Sequence, residues 1–151
     1  MADSSDVITT LNNLIETCKD RQAGYQTAAD GVKNRDLKSL FQSYARQSGS
    51  YADELTQEVR RRGGDPEQRG SVAGWFFRGW MNVKAVIAGG SEGSVVAECE
   101  RGEDSARSNY ENALKENLPA DIRAVIQRQY AGIREGHDRT RALEVAASGR
   151  T

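Results

Sequence analysis

The sequence predicts an all-α protein, a four-helix bundle made of two similar helical hairpins. The first indication is an internal repeat, because residues 36–42 return as residues 121–127 with residues of matching class. At the same offset, Tyr25 corresponds to Tyr110. The second indication is that only 2 prolines occur among 151 residues, which leaves long stretches free for helix. A duplicated hairpin that buries one apolar face against its copy is a common way to build such a bundle.

The first hairpin is delimited by capping residues and glycines. Its first helix is expected to begin at Ser5 or Asp6, both good N-caps, and to end at Gly31. Asp36 is expected to cap the second helix, which ends at the glycine pair 63–64. The inward stripes at helical spacing are Val7, Leu11, Leu14, Cys18, Tyr25 and Ala28, then Leu37, Leu40, Phe41, Tyr44, Ser48, Tyr51, Leu55 and Val59.

The second hairpin is expected to begin after Gly93, with Pro119 between its two helices. Its inward stripes are Val95, Val96, Cys99, Glu103, Ala106, Tyr110, Ala113 and Leu114, then Ile122, Val125, Ile126, Gln129, Ile133, His137 and Leu143. The turns within the hairpins are short, whereas the connection over 63–93 is long enough to return the chain to the far end of the bundle. We therefore expect a single domain over 1–147 and a flexible tail at 148–151.

The long connection contains both tryptophans of the chain. Its aromatic cluster, extended by one methionine, is Trp75, Phe76, Phe77, Trp80 and Met81. A stripe at helical spacing predicts a short aromatic-rich crossover helix packed on the bundle. A second interpretation is a docking surface for a second subunit, a protein partner or a lipid interface. Arg78, Lys84 and the shortness of the run argue against a membrane span.

The composition excludes several partner classes. Hydrophobic residues make up 37% and charged residues 28%, with a formal net charge of −1, so nothing in the charge indicates nucleic acid or an anionic membrane as a partner. The N-terminus lacks the basic and apolar regions of a signal peptide, which predicts a cytoplasmic protein. In a reducing compartment, Cys18 and Cys99 are expected to be free thiols.

Three segments carry a resemblance to a known family: residues 11–20, which end Glu-Thr-Cys-Lys-Asp, residues 99–104 and residues 129–138. The chain resembles, over nearly its whole length, an uncharacterised bacterial family of ferritin-like four-helix-bundle proteins described only as a domain of unknown function. The resemblance implies the ferritin-like order of short, long and short connections. That family has no established activity to transfer.

Rubrerythrin and bacterioferritin share this topology more distantly and hold two irons between their helices. Such a centre takes one glutamate from each of two helices and a Glu-x-x-His pair from each of the others. By this resemblance, Cys18 stands where the first glutamate belongs, and Ser48 and Tyr51 replace the pair of the second helix. Glu103 keeps the glutamate of the third helix.

On the fourth helix, His137 takes the histidine position, but Arg134 stands where its glutamate partner belongs. Too few ligands therefore remain for a di-iron centre, and an arginine would repel a cation. A shift of the helical phase by one residue would bring Glu98, Glu100 or Glu135 inward. Ferritin-type oxidase chemistry is not expected.

The leftover polar residues also have a plain structural interpretation. If Glu103 and His137 are both buried, either they are expected to pair, with Tyr51 closing the network, or Glu103 is expected to be protonated, because unpaired buried charge is costly. Cys18 and Cys99 then behave as small core residues.

Three functional hypotheses follow. The first, without a cofactor, is a non-catalytic structural, stress-associated or partner-binding module that self-associates through the aromatic connection. The second is a metal-dependent redox or storage protein, with iron or manganese at an altered centre of Glu103, His137 and either Glu100 or Cys99. The third is a thiol sensor built on Cys18 and Cys99. No catalytic triad, phosphate loop, Cys-x-x-Cys pair or nucleotide fingerprint is present, so an enzyme is not favoured.

Overall fold

The computed structural model describes residues 4–66 and 91–148, which fold into four helices, and the all-α prediction is confirmed. The helices are α1 (Ser4–Gly31), α2 (Arg35–Arg61), α3 (Glu92–Leu114) and α4 (Ala120–Ser148). No strand occurs in the two described ranges. None of these helices contains a stretch apolar and long enough to cross a membrane. With 27 residues, α2 is about 40 Å long.

The helix ends are set by side-chain caps. Asn34 caps α2, because its Oδ1 accepts hydrogen bonds from the backbone N–H groups of Asp36 (2.9 Å) and Leu37 (3.1 Å). The prediction that Asp36 is the cap is therefore wrong: Asp36 lies in the first turn, where its charge favours the helix dipole. Ser91 caps α3 by accepting from the N–H of Ser94, so α3 begins slightly earlier than expected.

The helices pack as two hairpins side by side. α1 packs on α2, α3 packs on α4, and α1 also lies against α3. Cys18 contacts Tyr110, and Glu92 at the start of α3 accepts a 2.7 Å hydrogen bond from the N–H of Lys33 after α1. These contacts make α1 and α3 antiparallel. Because α2 is antiparallel to α1, α2 and α3 run in the same direction.

The core consists of two apolar clusters, one towards each end of the four helices. The larger contains Val7, Leu11, Leu14, Ile15, Cys18, Ala52, Leu55, Val59, Ala106, Tyr110, Ala113, Leu118, Ile122, Ile126 and Ile133. The other contains Tyr25, Ala28, Ala29, Val32, Phe41, Tyr44, Ala45, Val95, Val96 and Cys99. Nearly every stripe residue predicted for α1 and α3 is buried. Between the clusters lie buried polar side chains, which form the candidate site.

The contact between α2 and α4 differs from the others, because it is small and is made by long polar side chains. Its hydrogen bonds include those from Tyr44 to Glu135 (3.4 Å), from Gln129 to Glu54 (2.7 Å) and from Arg62 to Asp121 (3.2 Å). We call this contact the polar seam.

Candidate functional site

The candidate site is a polar layer between the two apolar clusters. Arg21 from α1, Ser48 from α2 and Glu103 from α3 each have a relative exposure of 0%. The helical spacing that buries Cys18 and Tyr25 on α1 also buries Arg21, because all three lie on one face of the helix. A charged pair is therefore placed at the centre of the described helices.

Arg21 and Glu103 form a bidentate ion pair. The Arg21 Nε lies 2.6 Å from Glu103 Oε1, and Nη2 lies 2.8 Å from Oε2. Tyr25 donates a third hydrogen bond to Glu103 Oε2 at 2.8 Å. On the other side of the guanidinium, Nη1 donates to Gln47 Oε1 and to Ser48 Oγ, both at 2.9 Å. Each charge is thus met by complementary polar atoms, which buried charges require.

Aromatic rings and a glycine complete the surroundings of the guanidinium. The Arg21 Cζ lies 5.3 Å from the ring centroids of both Tyr25 and Tyr44, within the range of cation–π attraction. Gly136 of α4 faces the ion pair, and a Cβ at this position would lie 2.8 Å from Arg21 Nη2 and closer still to Glu103 Oε2. Glycine at position 136 is therefore what lets α4 approach the pair.

The electrostatics keep Arg21 and Tyr25 each in one protonation state. Burial lowers the pKa of Arg21, but the charge and hydrogen bonds of Glu103 outweigh it, and the net shift is upward. Burial, followed by the Glu103 charge, raises the pKa of Tyr25 well above its usual range. Arg21 is therefore a permanent cation and Tyr25 a neutral donor, so neither is suited to acid–base catalysis near neutral pH.

A second polar chain begins at Cys18. The Tyr110 hydroxyl donates to Gln129 Oε1 at 2.7 Å, so the Cys18 thiol, 3.1 Å away, donates to Tyr110. Burial raises the pKa of Cys18 to about 11 and the pKa of Cys99 well above its usual range. Reactive thiols are exposed and have lowered pKa values. The thiol-sensor hypothesis therefore loses its chemical basis.

His137 lies apart from the ion pair. Its side chain is 3% exposed, with Nε2 3.0 Å from Asp104 and 3.9 Å from Glu100, and with Nδ1 3.2 Å from Asp138. The expected pairing of His137 with Glu103 is not found, because Arg21 and Tyr25 take the Glu103 carboxylate. Glu103 and Asp104 are neighbours in the sequence, but Glu103 faces the core whereas Asp104 is exposed.

The structure brings together only part of the predicted site. Cys18, Ser48, Cys99 and Glu103 are buried as expected, whereas Tyr51 is only partly buried. The inward position predicted for Arg134 is wrong: it is exposed, because residues 133, 136 and 137 form the inner face of α4. Among the described side chains, no group of three His, Cys, Asp or Glu residues is arranged to hold a metal ion. The aromatic cluster Trp75, Phe76, Phe77, Trp80 and Met81 lies outside the described residues.

Sequence reasoning missed Arg21, although a signal was present. The predicted stripe of α1 runs from Leu14 through Cys18 to Tyr25 and leaves a gap where one further inward residue belongs. Position 21 fills this gap at helical spacing. Gly136 was also overlooked, although the repeat offset that aligns Tyr25 with Tyr110 also aligns Gly136 with Tyr51, which was predicted to face inward.

Comparison with known proteins identifies one family. The family described as Domain of unknown function (DUF2383) matches residues 6–116, which include Arg21 and Glu103 and end before α4. A comparison with curated proteins finds no match. Because the match covers well over half of the sequence, the chain belongs to the DUF2383 family.

Proposed function

We propose that this protein is a bacterial, ferritin-like four-helix bundle that acts in the cytoplasm as a non-enzymatic interaction module. The observation that carries the proposal is the bidentate pair of Arg21 with Glu103. In this chain the single carboxylate that matches a ferritin-like ligand position is already neutralised by the protein itself.

The charges in the polar layer support a metal-free centre. At an effective dielectric constant of about 20, two unit charges 4 Å apart interact by about 4 kcal/mol. Arg21 therefore repels a divalent cation at that distance by about 8 kcal/mol, which offsets the attraction of the Glu103 carboxylate at a similar distance. The Tyr25 hydroxyl uses its proton to bind Glu103, and the thiol of Cys18 is protonated at neutral pH. These groups are poor ligands in these states.

The helix directions support the ferritin-like connectivity. Arg62 at the end of α2 contacts Asp121 at the start of α4, while Glu92 at the start of α3 contacts the turn between α1 and α2. These two contacts lie at opposite ends of the helices. The end of α2 and the start of α3 therefore lie at opposite ends of the helices, which is the arrangement that a ferritin-like order of short, long and short connections requires.

The partner is proposed from the sequence of that connection. Trp75, Phe76, Phe77, Trp80 and Met81 form the most aromatic segment of the chain, and clustered aromatic residues are typical of protein interfaces. Self-association through this segment is therefore the form of interaction that we propose. The formal net charge of −1 gives no reason to propose nucleic acid.

Metal analysis tests the proposal. Protein made in culture supplemented with iron and manganese is compared with a Glu103→Ala, His137→Ala double variant and with a control variant, Arg60→Ala, at an exposed position. We expect no stoichiometric metal in any of the three. Stoichiometric metal in the wild type and the control that disappears in the double variant would refute the proposal and support the altered metal centre.

Light scattering tests the proposed self-association. Trp80→Ser is expected to lower the molar mass of the wild-type assembly, because it removes the largest type of apolar anchor from the segment. Identical monomeric masses for the wild type and the variant would contradict association through this segment.

A further inference from the structure

We infer that the polar layer is a guanidinium-binding pocket that the chain fills with its own Arg21 side chain. The inference rests on the proposed function only in taking Glu103 to be free of metal. The ligand class that the layer would bind is a planar guanidinium cation. A free guanidinium compound should therefore be able to take the place of the Arg21 side chain.

The pocket presents acceptors around the whole edge of the cation. Glu103 supplies two carboxylate oxygens on one side, at 2.6 and 2.8 Å, while Gln47 Oε1 and Ser48 Oγ lie on another side at 2.9 Å. Parallel hydrogen bonds to a carboxylate match the fork of a guanidinium and cannot be made by an ammonium group. The acceptor geometry therefore selects the planar cation.

The remaining surroundings are those of a receptor for a cation. The rings of Tyr25 and Tyr44 both lie 5.3 Å from the Arg21 Cζ. Gly136 leaves the space that the pair occupies, since a Cβ there would overlap both partners. The acceptors, rings and glycine come from all four helices, so a cation in this pocket also holds the helices in register.

Two of the acceptor side chains, those of Glu103 and Ser48, are also held by contacts that do not involve Arg21. Glu103 also accepts from Tyr25, and the Ser48 hydroxyl donates a 2.9 Å hydrogen bond to the Tyr44 carbonyl. These contacts do not involve the guanidinium. The Arg21→Ala variant therefore keeps the Glu103 carboxyl group and the Ser48 hydroxyl and lacks an ethylguanidinium-sized group.

Chemical rescue tests the inference. Ethylguanidinium chloride, which replaces every atom deleted in Arg21→Ala, is titrated at millimolar concentrations, with propylammonium chloride as the matched cation. We expect the melting temperature of Arg21→Ala to rise by equal steps for each tenfold increase in ethylguanidinium above its Kd, and to rise less with propylammonium. Wild type and the exposed-position control Arg60→Ala should not respond.

The second part of the experiment tests whether rescue by ethylguanidinium requires the charge of Glu103. The Arg21→Ala, Glu103→Gln double variant should lose the response, because its pocket has no carboxylate. An absent response, an equal response to both cations, or a response retained in the double variant would overturn the inference. Rescue by Mn²⁺ in place of ethylguanidinium would overturn it too. Failure of the proposed function is seen instead in the metal content or the molar mass of the wild type, neither of which these melting temperatures report.

Two further measurements keep the test decisive if the Arg21→Ala variant does not fold. If Arg21→Ala is unfolded alone, recovery of helical circular dichroism by ethylguanidinium becomes the readout, and no recovery counts against the inference. Arg21→Lys keeps the charge but loses the fork, so it should melt below wild type and stay unresponsive to ethylguanidinium. A melting temperature equal to that of the wild type would show that the pocket does not require a planar cation.

Discussion

Replacing Glu103 with glutamine should destabilise the protein by about 3–5 kcal/mol. Both Glu103 and Arg21 have 0% relative exposure, so Glu103→Gln leaves a guanidinium that is buried and no longer neutralised. Breaking a buried pair on one side costs about 3–5 kcal/mol. The total stability of a domain of this size is about 5–15 kcal/mol, and the melting temperature should fall by roughly 6–20 °C. The glutamine keeps the shape of the side chain, so the loss reports on charge rather than on packing.

Urea unfolding followed by circular dichroism measures this loss, since guanidinium salts would add the cation that the pocket is proposed to bind. Asp121→Asn is the matched control, because it breaks the Arg62 pair, in which Asp121 is 69% exposed. That control should cost less than about 1 kcal/mol. An Arg21→Met, Glu103→Leu double variant should be close to wild type or more stable, because apolar replacement removes both desolvation costs. Equal losses in Glu103→Gln and Asp121→Asn would refute the assignment of a buried ion pair.

Three further predictions concern packing, thiols and alkaline pH. Gly136→Ala should lower the free energy of unfolding by about 1–3 kcal/mol, because the added methyl group overpacks the core. Gly132→Ala should lower it less, because the added methyl group meets the hydroxyl of Tyr51, whose side chain is only partly buried. Urea unfolding of both variants measures the difference. Cys18 and Cys99 should react with iodoacetamide at pH 8 only as fast as the protein opens, because burial raises both pKa values, to about 11 for Cys18; fast labelling of the folded protein would contradict this. Burial, then the Glu135 charge, raises the pKa of Tyr44 from 10.0 to about 12, so its contribution to stability is complete below pH 10 and is lost as the pH rises towards 12; melting curves across this range should show the decline, and flat melting temperatures would contradict it.

The helices could be predicted because their apolar spacing and their breaks agree. The α1 stripe from Val7 to Ala28 is buried along its whole length, and Gly31 is the last helical residue. The cap of α2 was less determined, since Asn34 and Asp36 both have the right side chains. Only the extended backbone of Asn34 decides between them, and that conformation is a property of the turn rather than of one residue.

Of the two charged residues of the candidate site, the sequence predicted the acidic one, Glu103, but not the basic one, Arg21. Glu103 falls on an apolar stripe and was therefore placed inward, as the structure shows. Arg21 occupies an equivalent stripe position, but arginine is almost never fully buried unless it is paired, and its partner is distant in the sequence. Arg134 was placed inward through the Glu-x-x-His spacing around His137, but the buried face of α4 runs through residues 133, 136 and 137, and position 134 lies outside it.

The polar seam gives the four helices unequal roles in local opening. Its contacts are long side chains such as Glu54 and Gln129, whose hydrogen bonds can be exchanged for bonds to water at little net cost. The contacts of α1 with α2 and α3 bury apolar side chains, so moving α1 away from these helices exposes apolar surface to water, which is unfavourable. We therefore expect local opening to separate α4 from α2 first. The backbone amides of α1 should be the slowest to exchange their hydrogens with solvent. On this expectation, the α2–α4 contact opens while the apolar contacts of α1 keep the rest of the bundle folded.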